Sequence, residues 1–188
     1  WQIGSLESYE YKDETPVFVA TKSMERSARA VGFKHVEVLE WNASRRISDR
    51  LSFEVVAAQH SAGLKVNNYV LCTPDLRVFF GSEACDLEPL RQYRDRMGSS
   101  CIDVVLVPAN GFHLFNLLKL VMDGRDAVEA TRILGSKTLV PIHDSQKPIP
   151  FLFGLRSSGA DAEEEAKRMG EEIEVVRLMP GQKWEYQQ

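Results

Sequence analysis

Val55-Val56-Ala57-Ala58-Gln59-His60-Ser61-Ala62-Gly63 is an apolar run that stops at a histidine, two small residues and a glycine. Its β-branched opening predicts a buried strand, which places His60 where that strand gives way to a loop. A strand end holds a side chain firmly while leaving its tip open to a cleft. Phe79-Phe80-Gly81-Ser82-Glu83 and Leu139-Val140-Pro141-Ile142-His143 repeat the arrangement. His60, Glu83 and His143 are thus three ligand-type side chains, distant in sequence, that each close an expected core strand. A sheet can gather such ends into one cleft. Imidazole and carboxylate are the usual donors to zinc and related divalent ions, and a catalytic site needs about three of them plus an open position for water. A single histidine at a strand end is more often a hydrogen-bonded structural residue. The joint pattern is what points to metal.

Working outward, residues 16–20 read as a short strand, Thr21 as an N-cap, and Met24, Ala28 and Val31 as the apolar stripe of a helix that Gly32 stops. Residues 35–39 alternate at period two, which completes a strand-helix-strand unit with His35 facing solvent. Residues 46–48 and 51–55 suggest two further strands, and 68–72 with 77–80 a hairpin about Pro74-Asp75. Leu87, Leu90 and Tyr93 share a helical stripe before Gly98, and 102–108 is another buried strand. A long helical region is expected next, with Leu114, Leu117, Leu118 and Val121 on its first face, an interruption at Gly124, and an end at Gly135. Residues 137–142 then run as a strand into His143, 160–169 as an acidic solvated helix and 173–178 as a last strand. Helices and strands alternate, with hairpins interspersed. The fold class is therefore α/β with mixed sheets, and residues 1–188 form one expected domain.

Composition narrows the function classes. Of 188 residues, 44% are hydrophobic and 27% charged, an ordinary globular mixture able to bury a core. Lys and Arg total 23 against 27 Asp and Glu, and the net charge of −4 offers no electrostatic basis for a nucleic-acid or membrane-surface partner. Cys72, Cys85 and Cys101 lack a Cys-x-x-Cys spacing, which favours reduced thiols in a cytoplasmic protein. No run approaches the ~18 apolar residues of a membrane span. The first residue is Trp1, not Met, and the expectation is a chain that starts partway through something longer or one that was processed.

No serine sits in a Gly-x-Ser-x-Gly elbow, and there is no Gly-x-Gly-x-x-Gly or Walker-type loop. His113 follows Asn110-Gly111-Phe112, in an expected loop beyond Pro108, where it would overlook the same cleft as a substrate or proton-transfer residue. Asp144, next to His143, is a candidate to orient that histidine, or else a carboxylate that caps a loop.

Leu39-Glu40-Trp41, Ala58-Gln59-His60-Ser61, Phe79-Phe80-Gly81-Ser82-Glu83, and Ala127-Val128-Glu129-Ala130 leading through 134–138 to Val140-Pro141-Ile142-His143 carry a family resemblance. In order and wording they resemble the metallo-β-lactamase superfamily, in the branch similar to ascorbate-6-phosphate lactonase and related metal-dependent hydrolases. The resemblance covers most of the chain from about Pro16 onward. It implies an αββα sandwich whose N-terminal portion is absent from this chain, with one or two metals at the sheet edges. By motif position, His60 matches the histidine after the family's central strand and His143 its final histidine ligand. The signature His-x-His-x-Asp-His is absent, and Ser82 stands where the family has its bridging aspartate. Glu83 lies one residue later and would replace that aspartate only if the backbone turns there.

Two expectations follow. One is a hydrolase of an ester, lactone or phosphodiester that uses a metal-activated water, with zinc, manganese or iron held by His60, Glu83 and His143 and a small molecule as substrate. The other is a non-catalytic relative with a degenerate site and no metal, acting as a binding or assembly module. In both, a partial sandwich leaves a sheet edge uncovered, so a homo-oligomer or the missing N-terminal portion should hide it.

Overall fold

A computed structural model of the chain describes residues 4–59, 63, 65–82, 85–98, 100–115, 117–144, 148–149 and 152–187. The first part contains α1 (Gly4–Glu7), β1 (Val17–Val19), α2 (Lys22–Ala30), β2 (Val36–Val38), β3 (Ser44–Arg46), β4 (Ser52–Gln59) and β5 (Lys65–Cys72). The middle contains β6 (Arg77–Phe80), α3 (Glu88–Met97), β7 (Val104–Pro108), β8 (Phe112–Leu114), β9 (Leu118–Lys119) and α4 (Gly124–Leu134). The last part contains β10 (Thr138–Ile142), β11 (Phe153–Leu155), α5 (Gly159–Met169) and β12 (Glu174–Val175).

Seven strands pair in the order β12-β10-β7-β6-β5-β4-β3. Where a helix intervenes, between β6 and β7, β7 and β10, and β10 and β12, the chain returns parallel; where a short turn intervenes, β3 to β6 pair antiparallel. That is the geometry each connection length permits. Both faces of this sheet are buried around β4, where Val55 and Val56 are 1% and 0% exposed. Val56, Val70, Phe79, Val105 and Val107 form a core under α3, α4 and α5 through Leu90, Ala127, Leu134 and Ala162. Across the sheet, Phe53 and Val55 pack with Leu39, and the Phe18 ring meets Phe53 edge-on at 5.0 Å.

Phe18 belongs to β1, which pairs parallel with β2 through the α2 crossover. Thr21 caps α2, accepting from the Met24 N–H at 3.2 Å. Val19, Ala28, Phe33 and Val36 close the far side of this small sheet. The layers therefore run α2, β1–β2, the seven-stranded sheet, and α3 to α5, the expected αββα order.

The expected helix over 114–121 is not formed. Residues 112–114 and 118–119 instead make β8 and β9, which join β11 in a three-stranded antiparallel sheet. The leucine spacing imitates a helical stripe, but Phe115 takes a φ of +51° and Leu117 is 88% exposed, so the chain turns there and buries no such face. The helix begins at Gly124, capped by Asp123, whose side chain accepts from the Asp126 N–H at 3.0 Å. Gly124 does not interrupt a helix; it lets α4 meet α5, since a Cβ there would lie 2.7 Å from the Ala162 nitrogen. The helix expected to be solvated, α5, is amphipathic: Ala162 and Ala166 are buried against α4, and the charges line its outer side. Among the described residues, no helix is long and apolar enough to cross a membrane.

Candidate functional site

The strands deliver their ends to one cavity of about 330 Å³. Phe18, Val19, Ala20 and Met24 supply its apolar wall from the first strand-helix unit. Asn67 and Tyr69 enter from β5, Phe80 and Ser82 from β6 and the residues after it, and His143 from the end of β10. The register explains this meeting. Tyr69 is opposite Phe80, so residues two further along each strand, Asn67 and Ser82, follow on the same face.

His143 adopts a φ of +64° immediately after β10. A left-handed non-glycine residue is strained and persists only where its surroundings hold it. Here the Asn110 amide, itself 1% exposed, donates to the His143 carbonyl at 3.0 Å. Ser82 is also fastened: its N–H donates to Asn68 Oδ1 at 3.0 Å and its hydroxyl to the Asn67 carbonyl at 3.0 Å. Tyr69 lies 3.4 Å from Asn67 Nδ2, and burial pushes its hydroxyl pKa up, which keeps it neutral.

The remaining sequence candidates separate. His60 follows the last residue of β4 and Glu83 follows Ser82, and both lie outside the described residues. His35 is exposed just before β2. His113 is not in a loop overlooking the cleft but in β8, 8% exposed, with Nδ1 donating to the Gly111 carbonyl at 2.5 Å. Its partners in register are Lys119 and Gly154. Asp144 turns from the cavity to the start of α5, where Oδ1 accepts from the Gly159 N–H at 2.6 Å and Oδ2 lies 3.9 Å from Arg177 Nε. A carboxylate at a helix N-terminus is stabilised by the exposed amide dipoles.

Among the described residues no three His, Cys, Asp or Glu side chains lie close enough to hold a metal ion, and His143 alone of these types faces the cavity. Asn67, Tyr69 and Asn110 were not found from sequence. Period-two alternation already puts Asn67 with Tyr69, but what stands opposite them depends on strand pairing.

No protein-family model matches the chain. A UPF0173 metal-dependent hydrolase of Pyrococcus horikoshii is 26% identical over 156 residues, 80% of this chain and 62% of that protein. The chain thus spans about three-fifths of the length of this curated relative. Among solved structures, an isothiocyanate hydrolase from Delia radicum gut bacteria superposes with a TM-score of 0.74 at 15% identity, over 97% of this chain and 70% of that one. The metallo-β-lactamase fold protein YhfI of Bacillus subtilis gives a TM-score of 0.66 at 11% identity, over 97% and 71%. The layer order, the mixed seven-stranded sheet and these superpositions together establish that the chain has the metallo-β-lactamase fold.

Proposed function

We propose that the cavity at the strand ends is the active site of a metal-dependent hydrolase. The observation that carries this reading is His143, held in a strained conformation at a strand end and aimed at an apolar cavity. Likeness to a metal-dependent hydrolase supports it. His143, with His60 and Glu83, would hold a divalent ion, zinc first and manganese or iron as alternatives. When bound, that ion supplies a water whose pKa lies near 7. The chain's own residues do the rest: Phe18, Met24 and Phe80 exclude bulk water and seat the apolar part of a substrate, while Asn110 keeps His143 in place.

An ester or lactone suits this wall better than a phosphodiester, because none of the described lining residues is Lys or Arg. For the same reason the lactonase-like branch that acts on phosphorylated sugars gains no support from the wall. Metal analysis paired with hydrolysis of 4-nitrophenyl acetate is the test. The wild-type chain should carry stoichiometric metal, and His143→Ala should lose the metal and at least about 100-fold in rate, as expected for an essential ligand. A wild-type chain free of metal and inert would overturn the reading.

One observation favours the alternative, a binding module on the same fold. Ser82, at the bridging position, gives both its donors to Asn67 and Asn68. The metal measurement decides between the two. Self-association is supported by Leu71 and Phe80, 41% and 39% exposed on the cavity side of the sheet, and light scattering that finds a monomer would refute it.

A further inference from the structure

Asn67 and Asn68 are adjacent in β5, both buried, at 4% and 1% exposure. Asn68 spends its amide oxygen on Ser82. Asn67 Oδ1 has no hydrogen-bond partner among the described residues, although the side chain lines the cavity. Buried side-chain oxygens without a donor are uncommon, because the water they lose is not replaced. The other end of this amide reaches the Tyr69 hydroxyl at 3.4 Å, so turning the broad terminal torsion to bring the oxygen toward a ligand gives up one long hydrogen bond.

We propose that Asn67 is the recognition residue of the cavity, accepting a hydrogen bond from an uncharged hydroxyl or amide N–H carried on an apolar skeleton. The inference rests on the cavity being the site described under the proposed function, and it adds what that site selects. The donor is uncharged because no acidic side chain is among the described lining residues and Glu83 is assigned to the ion in the proposed site, and desolvating an unpaired charge is prohibitive. The skeleton is apolar because Phe18, Met24 and Phe80 face it. A site built to hydrogen-bond one substrate group rejects the analogue that lacks it, since its own polar atom is then left unpaired.

The test uses the full chain with no metal added, so its outcome is independent of hydrolysis. Binding of benzyl alcohol and of toluene, similar in size but differing by a hydroxyl donor, is measured by ligand-detected NMR titration. In wild type benzyl alcohol should bind at least about tenfold more tightly than toluene, and Asn67→Leu should abolish that preference. Asn67→Gln keeps an uncharged amide acceptor and should retain the wild-type preference, which serves if the leucine variant does not fold. An unchanged ratio in Asn67→Leu, a lost preference in Asn67→Gln, or no binding of either probe to wild type would overturn the proposal.

Discussion

The two faces of the seven-stranded sheet are built from the same strands and differ in how they are covered. On the helical face, Val56, Val70, Phe79, Val105 and Val107 are each 0% exposed beneath three helices. On the opposite face, β1–β2 covers one end and Trp184 with Tyr186 the other. Between these covers, Leu71 and Phe80 are about two-fifths exposed beside the cavity. Alternation sends neighbouring residues to opposite sides. A single strand can therefore put one residue into stability and the next into a site.

Phe79 and Phe80 break or sharpen that contrast most strongly. Phe79→Ala should cost about 3–5 kcal/mol by urea denaturation, the usual range for a buried phenylalanine. Phe80→Ala should cost roughly 1 kcal/mol, because little of its environment is closed packing. Equal losses would mean that the cavity face is as tightly covered as the helical one.

An effect smaller than that of Phe79 is expected at Tyr93, on the helical face. Its hydroxyl donates to Glu54 at 2.7 Å and lies 3.2 Å from Arg77. Tyr93→Phe removes that bond and should cost about 1–2 kcal/mol. Burial, and then the Glu54 carboxylate, push the Tyr93 pKa well up. With the folded value above the unfolded one of about 10, the folded state holds the proton longer, and stability is retained below pH ~10 and declines as pH rises beyond it. The phenylalanine variant should lack that alkaline decline in a pH series of denaturation curves.

Asp144 separates the two roles that its position next to His143 allows. Acting at the helix start, it should cost about 1 kcal/mol on replacement by Ala and leave metal content unchanged. A drop of about 10–100-fold in metal affinity would instead assign it to orienting a ligand. Smallest of all is the exposed Glu163–Lys167 pair at 2.7 Å on α5, where Lys167→Ala should change stability by no more than about 0.5 kcal/mol.

Much of the fold was legible because its signals are local. The β-branched runs that end at Gln59 and Ile142 form β4 and β10 as read, Thr21 caps α2, and Gly135 closes α4 in a left-handed conformation. The stretch over 114–121 was misread because Leu114, Leu117, Leu118 and Val121 satisfy a helical period that Phe115 cannot follow. His113 was read as a loop residue from Asn110-Gly111, yet pairing with β9 and β11 takes it into a sheet.

The sequence by itself determined the α/β class, most strand and helix positions, and that His143 closes a core strand, since periodicity, caps and turn residues act within a few positions of one another. Tertiary structure alone decided that His143 shares a cavity with Ser82, that Asn67 lines it with an unpaired oxygen, and that Asp144 serves α5. Those facts depend on which strands pair and in what register. That choice is made by packing between distant segments, and no local pattern encodes it.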